Sequence, residues 1–418
     1  MATSGALARR LGLGDAIFIG LGSMIGAGIF SVFAPASAAA GSWLLAGLVI
    51  AAVVAFCNAT SSAQLAATYP SSGGTYLYGR EVLGQWWGFA AGWSFVIGKT
   101  ASCAAMALTF ASYAAPAGWE RPVAVVAAIA LAAVNYAGVT RTAQLTKIIV
   151  VLVLAALGVV LAAGTAASSS GALAAGFAAP ASLYGVLQSA GLIFFAFAGY
   201  ARIATLGEEV RAPARTIPRA ITIALALTVV LYTAVAIVSL ASVGPARLAV
   251  SDAPLEDVTA AAGWAWALPL VQVGAALASL GALLALIAGV GRTALAMARN
   301  ADLPRYLDAV HPRRAVPHRA EIALAIVVVV LVATVDLRSA IGFSSFGVLL
   351  YYFVANLAAF KQTADARRYP KALQLLGMLG CLALVATLPA LSIAVGVVVL
   401  AAGFAYRALR LAVARQNL

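Results

Sequence analysis

The chain consists almost entirely of apolar runs about as long as a lipid bilayer is thick, and these runs limit what it can fold into. Of its 418 residues, 64% are hydrophobic and 9% are charged, whereas soluble domains carry about 25% charged residues. A run of about 20 apolar residues crosses the hydrocarbon core as a helix, because only a helix satisfies its own backbone polar groups there. We therefore predict an all-α polytopic membrane protein.

Windows of this length predict about twelve transmembrane helices, with eleven as the main alternative because the ninth run is short. Only the turn at Leu388-Pro389 separates the last two. The predicted spans cover residues 13–36, 43–66, 86–115, 122–138, 146–164, 183–206, 220–243, 267–291, 321–336, 338–360, 373–389 and 391–408. No soluble domain fits between them, so we expect residues 1–418 to form one transmembrane domain in the lipid bilayer.

The basic residues predict the orientation of these spans. In this topology, 21 of the 26 Lys and Arg residues fall on one side of the membrane. The positive-inside rule makes that side cytoplasmic, and it places both termini there. The net charge of +13 is then a consequence of topology, and we expect no nucleic-acid partner. The sequence leaves the oligomeric state open.

Two of the predicted spans carry glycines near their middle. In the first span, Gly26 and Gly28 lie about a dozen residues in, or roughly 18 Å along a helix. On spacing alone, Gly22 and Gly26 would also fit a packing face of small residues. In the sixth span, Gly199 lies at a corresponding depth. Interruptions in two oppositely directed spans, five spans apart, are typical of an inverted repeat with a ligand site at the midplane.

Several motifs then resemble those of bacterial members of the amino acid–polyamine–organocation transporter superfamily. The matching stretches are Gly22–Phe30, Pro70–Tyr78, Phe194–Gly199, Gly207–Pro218 and Met297–Pro304. The resemblance covers nearly the whole chain. With the glycine pattern it predicts a five-plus-five inverted repeat with broken helices 1 and 6, followed by two additional helices. The repeats are residues 1–164 and 183–360, and the additional helices lie in 373–408.

The resemblance also implies a substrate site and alternating access. The substrate carboxylate would meet the amides of Ala27 and Gly28, and its ammonium would meet the carbonyls of Met24, Phe195 and Ala198. Phe195 would close over the substrate as an aromatic gate, whereas core packing is the preferred interpretation of the neighbouring phenylalanines 194 and 197. The full predicted site is Met24, Ile25, Gly26, Ala27, Gly28, Lys99, Phe195, Ala198 and Gly199.

Lys99 is the ionisable residue in the middle of a long predicted span, level with the Gly26 interruption. A charge at that depth costs about 2.5–3.5 kcal/mol on insertion scales, and no Asp or Glu lies at that level. We predict that Lys99 couples transport to protons. It would otherwise contact the substrate side chain, or be a structural charge satisfied by carbonyls of an unwound segment. Proton-coupled relatives place a lysine in span five, where this chain has Val153.

An inner gate is predicted from the charges that follow the sixth span. Arg202 comes three residues after Gly199 and can extend towards the cytoplasm. Glu208 and Glu209 would pair there with Arg202, Arg80 or Arg211, and Glu208 is the stronger candidate. With no fixed acid at cavity level, the positive charges favour neutral or anionic amino acids as substrates.

These features predict proton symport of an amino acid, with amino acid exchange as the alternative and a permease for polyamines or cationic amino acids as a weaker one. A polytopic membrane enzyme is disfavoured, because the spans carry no acid–base or metal set at depth. A channel is disfavoured because no selectivity-filter pattern is visible. No cofactor or metal ion is expected.

Overall fold

The computed structural model describes residues 10–69, 73–138, 143–169, 176–178, 180–207 and 209–416, and these ranges fold into helices joined by short connections. One isolated bridge, between Leu11 and Val210, ties the start of the chain to the segment after the sixth span. The helices are α1 (Leu13–Met24), α2 (Ala27–Ser31), α3 (Phe33–Ala40), α4 (Leu44–Thr68), α5 (Gly74–Leu83), α6 (Gln85–Ala114), α7 (Glu120–Tyr136), α8 (Ala143–Ala167), α9 (Leu183–Phe197), α10 (Ala201–Ala204), α11 (Pro213–Ser242), α12 (Pro245–Ala249), α13 (Pro254–Ala261), α14 (Leu268–Arg299), α15 (His318–Thr334), α16 (Leu337–Lys361), α17 (Lys371–Thr387) and α18 (Ala390–Gln416).

Within the described ranges, eight helical stretches are long and apolar enough to cross a membrane. Two further helices, α9 and α17, are also apolar but shorter. The prediction of an all-α protein that crosses the membrane several times is therefore confirmed. The eight stretches are Leu13–Ser31, Phe33–Thr68, Gln85–Ala114, Ala143–Ala167, Pro213–Ser242, Ala265–Arg299, Leu337–Lys361 and Ala390–Val413.

One to three helices occupy each predicted span. The first span extends further than predicted, because α3 continues to Ala40 before Gly41 turns the chain at φ +56°. The turn between α17 and α18 contains Leu388-Pro389, as the sequence indicated. Pro70, which begins one of the motifs, and Glu208 lie outside the described residues.

The third and tenth spans form the centre of the molecule, and their contact sets the position of Lys99. Helices α6 and α16 pack along each other at Gly98 and Gly347, where a Cβ atom on Gly347 would stand 2.7 Å from the Gly98 Cα. One turn beyond Gly98, the hydroxyls of Ser102 and Ser344 are 2.6 Å apart. Because two glycines bring the backbones together here, the side chain of Lys99 is held inside the helix bundle.

A buried charge cluster joins three elements at the predicted cytoplasmic end. Asp302, which is 2% exposed, pairs with Arg407 at 2.6 Å and with Arg80 at 3.0 Å. It also accepts a hydrogen bond of 2.7 Å from the Tyr76 hydroxyl. Burial raises the pKa of Tyr76, and the hydrogen bond to Asp302 acts in the same direction, so the phenol remains a neutral donor. This Asp302 cluster fastens α5, the connection after α14 and α18 to one another.

Candidate functional site

The first span is interrupted at Ile25 and Gly26, which we call the first break. Helix α1 ends at Met24 after twelve residues, about 18 Å from its start. Ile25 adopts φ −79°, ψ 58°, and the Gly26 amide donates to the Met24 carbonyl at 2.8 Å, so the chain makes an inverse γ-turn. Helix α2 restarts at Ala27. Its first amides, those of Ala27 and Gly28, have no acceptor within an α-helix.

The sixth span is interrupted at residues 198–200, which we call the second break. Helix α9 ends at Phe197, and a short turn leads into α10 at Ala201. The Ala198 amide reaches back to the Phe195 carbonyl at 3.4 Å. The last carbonyls of α9 are therefore directed away from the helix, at its negative end.

The two breaks lie directly against each other, and glycines make the contact possible. A Cβ atom on Gly28 would stand 2.7 Å from the Cα of Ala196. A Cβ atom on Gly199 would stand 2.6 Å from the Met24 amide nitrogen and would overlap the Ser23 carbonyl. Real Cβ atoms do not approach this closely, so both positions require glycine for packing, in addition to any part in substrate binding.

Side chains from three other spans bind the carbonyl groups exposed by the breaks. The Tyr232 hydroxyl lies 2.6 Å from the Met24 carbonyl oxygen and 3.1 Å from that of Ala196. The Ala198 carbonyl accepts from the Tyr352 hydroxyl at 3.2 Å and from Lys99 Nζ at 3.3 Å. The sequence interpretation missed both tyrosines, because a tyrosine in an apolar run is indistinguishable from core packing until its hydroxyl is placed.

Lys99 is 8% exposed and directs its ammonium group to the second break. From the sequence, Lys99 is expected level with the first break, with the substrate side chain or backbone carbonyls as its candidate partners. In the described part of the chain, its hydrogen bond is to a backbone carbonyl. Cys103 lies one turn further along α6 and is fully buried. The contact is compatible with a structural charge and with a coupling group, and it brings the ammonium to the predicted substrate site.

The three neighbouring phenylalanines have different surroundings. Phe194 contacts Tyr352 edge-on at 5.8 Å, and Phe197 contacts Tyr232 at 5.0 Å, measured between ring centroids. Both are fully buried, whereas Phe195 is 7% exposed. The rings at 194 and 197 are thus part of the packed core, as the sequence favoured. Phe195 lies in the turn of helix that ends at the second break, where a gating residue would have to be.

A cavity of about 360 Å³ lies between the first break and the predicted cytoplasmic side. It is lined by Gly22 and Ser23 of α1, by Arg202 and Glu209 after the second break, and by Arg292 of α14, together with Leu11, Ile19, Asn135, Ala143, Thr146, Leu206, Leu284, Ala285, Ala288 and Gly289. Its size fits a small-molecule ligand. The cavity therefore connects one face of the protein to the turn of helix preceding the first break.

The predicted gate residues are only partly assembled around this cavity. Arg202 and Glu209 line it together, whereas Glu208 is outside the described residues. Arg80 pairs with Asp302 in the charge cluster, and among the described contacts it does not pair with Glu209. That pairing joins residues 222 positions apart in sequence, so no local pattern could have indicated it.

Two transmembrane helices that are interrupted side by side, next to a cavity open to one face, are the arrangement of a secondary membrane transporter. The chain belongs to the amino acid permease family, whose sequence profile matches residues 11–411. It is therefore a transporter and not an enzyme.

Relatives along most of the chain are also transporters. An uncharacterized transporter of Mycobacterium tuberculosis is 56% identical over 411 residues, which are 98% of this chain and 93% of the relative. A branched-chain amino acid permease of Bacillus subtilis is 27% identical over 76% of this chain and 74% of its own length. A vacuolar cationic amino acid transporter of Arabidopsis thaliana is 27% identical over 83% of this chain and 62% of its own length.

Proposed function

We propose that this protein is a secondary carrier that moves an amino acid across the cell membrane by alternating access. The observation that carries the proposal is the contact between the two breaks, which brings helix-start amides and helix-end carbonyls to one level of the bundle. Partial positive charge at the start of α2 suits a carboxylate, and partial negative charge at the end of α9 suits an ammonium group. A zwitterionic amino acid carries both.

In this proposal the substrate carboxylate binds the amides of Ala27 and Gly28, and its ammonium binds carbonyls at the second break. Phe195 closes over the substrate, and Lys99 couples its transport to protons. The twelve spans form the predicted inverted repeats, residues 1–164 and 183–360, with two additional helices at the end. Both termini are cytoplasmic, so the cavity lined by Arg202 and Arg292 opens to the cytoplasm.

Contacts at the opposite end of the bundle support a conformation closed to the outside. The Tyr113 hydroxyl at the end of α6 donates to the Phe30 carbonyl at 2.8 Å and accepts from the Leu255 amide at 3.1 Å. This draws α13 over the outer half of the first span. With a cavity on one side and packed residues on the other, the arrangement suits one half of an alternating-access cycle.

The substrate is proposed to be neutral or anionic. Among the described residues near the breaks and the cavity, the three cations Lys99, Arg202 and Arg292 outnumber the two carboxylates, Glu209 and Glu321, the second of which interacts with Arg292. The Bacillus relative named for branched-chain amino acids is consistent with a neutral substrate, while the Arabidopsis relatives named for cationic amino acids keep the cationic alternative open to test.

The proposed function is tested by uptake of labelled amino acids into proteoliposomes containing the purified protein. A panel of the twenty amino acids with putrescine, with and without an imposed pH gradient, separates symport, exchange and the absence of transport. Accumulation of a neutral or acidic amino acid that follows the pH gradient is the expected result. Failure of every compound to be taken up or exchanged would overturn the proposal.

A further inference from the structure

We propose that the charged Lys99 and the ammonium group of the substrate compete for one acceptor, the Ala198 carbonyl oxygen, so that substrate binding releases a proton from Lys99. This inference rests on the proposed function, and it specifies how transport would be coupled to protons. It differs from the symport favoured by the sequence, because in symport the proton and the substrate occupy the carrier together.

The Ala198 carbonyl oxygen at the second break already accepts two hydrogen bonds in the structure. A carbonyl oxygen has two lone pairs, and Ala198 receives one hydrogen bond from Lys99 Nζ at 3.3 Å and one from the Tyr352 hydroxyl at 3.2 Å. It lies at the negative end of α9, where a cation is favoured. Because Lys99 already places an ammonium group at this point, a substrate ammonium that binds there must displace one of the two donors.

Lys99 is the donor that can move. The Tyr352 side chain is fully buried, its ring stacks on Tyr200 at 4.9 Å, and it contacts Phe194 edge-on. These contacts fix the position of its hydroxyl. The lysine side chain has four flexible carbons and a rotatable ammonium group, and its Nζ has one hydrogen bond among the described contacts. The substrate amine would therefore replace Lys99 and keep Tyr352.

Among the described residues around it, the displaced lysine has no Asp or Glu to hold its charge. The ionisable groups around it are Cys103 on α6, which interacts with it electrostatically, Tyr352 on α16, which shares its acceptor, and Tyr200 at the second break, which stacks on Tyr352. All three are buried. Helix α2 and residues 271–290 of α14 present no ionisable side chain. In this proposal the substrate carboxylate is held by the amides of Ala27 and Gly28, so a charged Lys99 and the substrate ammonium would share one buried site without a carboxylate between them, which is strongly disfavoured. Lys99 thus releases its proton to the solvent, leaving a neutral amine beside the substrate ammonium group.

The consequence is a carrier that crosses the membrane with either a proton on Lys99 or a bound substrate. With protonated Lys99 the site carries one positive charge, and with neutral Lys99 and a bound zwitterion it carries none, because the substrate ammonium is balanced by the substrate's own carboxylate. Such a carrier exchanges a proton for a substrate molecule, and a pH gradient drives the two in opposite directions.

The test is a proton count on substrate binding, made with purified protein in weakly buffered solution and a pH-indicator dye. The ligand is whichever of the twenty amino acids raises the thermal unfolding temperature most. We expect the wild-type protein to release about one proton per amino acid bound, and its affinity to rise about tenfold per pH unit while Lys99 is charged. Lys99→Met should release no proton, with an affinity independent of pH over the same range. Lys99→Arg stays charged and should bind more weakly at every pH.

Lys361→Met is the matched control, because Lys361 is an exposed residue at the end of α16. It should release as many protons as the wild type. Proton uptake, or no proton release, by the wild-type protein would overturn the inference, and so would unchanged release by Lys99→Met. The wild-type count decides the matter even if a Lys99 variant fails to fold. If no amino acid binds, the proposed function itself fails.

Discussion

Gly199 lies directly against the Ser23 carbonyl, so that the second break packs its backbone onto the last turn of α1. A methyl group at position 199 would also stand 2.6 Å from the Met24 amide. The two interrupted spans therefore meet through main-chain atoms, and their spacing depends on the absence of a side chain. A displacement of one break would therefore displace the backbone of the other.

Gly199→Ala is expected to separate the two breaks and to abolish substrate binding, because the obstructing atoms are backbone and cannot rotate away. Gly158→Ala is the control, since a Cβ atom on that glycine of α8 meets nothing within 4 Å. It should stabilise the helix by about 0.5–1 kcal/mol. Thermal unfolding with and without the amino acid ligand measures both effects. Ligand stabilisation of Gly199→Ala equal to that of the wild type would contradict this account.

The interruptions were predictable because glycines occur at corresponding depths in two oppositely directed spans, which helix packing alone does not explain. The contacts that hold the two breaks together were harder to predict from the sequence. The sequence indicates that Gly28 leaves backbone groups available to the substrate. In the structure, however, a side chain at this position would collide with Ala196. This makes Gly28→Val a poor probe of substrate binding, since it would disturb packing first.

Tertiary polar contacts account for most of what the sequence did not indicate. Tyr232 reaches Met24 across 208 positions, and Tyr352 reaches Ala198 across 154. The hydrogen-bond partner of a tyrosine hydroxyl cannot be recognised from the residues next to it in the sequence. Lys99 was visible because a charge in a span is rare, but its acceptor depended on how three helices pack.

Asp302→Asn is expected to destabilise the protein by about 3–5 kcal/mol, the range for breaking a buried ion pair from one side. The substitution leaves Arg407, which is 3% exposed, without its carboxylate. Asp308→Asn is a matched control from the same connection, since Asp308 pairs with Arg299 at the surface. Exposed pairs contribute about 0–1 kcal/mol. Chemical unfolding monitored by tryptophan fluorescence should separate the two variants, and equal losses would contradict the assigned importance of the Asp302 cluster.

Asp336 gives a pH-dependent contribution at the start of α16. Its carboxylate accepts from the Ser339 amide at 2.9 Å and the Ser339 hydroxyl at 2.7 Å. Burial acts to raise the pKa of Asp336, but these hydrogen bonds outweigh it and lower the pKa below its ordinary value. A lowered pKa means that the stabilisation is complete above the unfolded-state pKa of about 3.9 and is lost as the pH falls through the lower native-state pKa.

Asp336→Ala should therefore cost about 1 kcal/mol at neutral pH, as expected for a helix N-cap. The difference from the wild type should narrow below about pH 4. Thermal unfolding measured across pH 3–7 tests this, with Asp336→Ser as a control that keeps a capping oxygen without the charge. A difference that stayed constant down to pH 3 would contradict the role of the ionised carboxylate.

Tyr113→Phe is expected to loosen the segment that covers the outer half of the first span. The variant keeps the edge-on ring contact with Phe30 but removes the hydroxyl that bridges the Phe30 carbonyl and the Leu255 amide. Losing a buried hydrogen-bond partner costs about 1–3 kcal/mol. Hydrogen exchange at Leu255 should accelerate correspondingly, by at least about fivefold. Tyr306→Phe, at a residue 67% exposed, should leave that exchange unchanged. Unaltered exchange in Tyr113→Phe would show that other contacts hold α13 in place.

The charge of the cavity should select against cationic amino acids on the way to the breaks. Arg202 and Arg292 line it together with Glu209, and Glu321 interacts electrostatically with Arg292. A like charge at about 8 Å, with an effective dielectric constant of about 20, is unfavourable by about 2 kcal/mol, which is roughly thirtyfold in affinity. Arginine and putrescine should therefore compete poorly for uptake in proteoliposomes, and leucine or glutamate should compete well.

Arg202→Gln should narrow this discrimination between cationic and neutral amino acids, because it removes a positive charge three residues after Gly199 while preserving hydrogen-bonding capacity. Arg299→Gln serves as the control: that arginine lies on the same side of the protein but pairs with Asp308 away from the cavity, so selectivity should be as in the wild type. The measurement is the ratio of inhibition constants for arginine and leucine in the three proteins. If arginine displaces the substrate better than leucine in the wild type, the charge argument is wrong and the substrate is cationic.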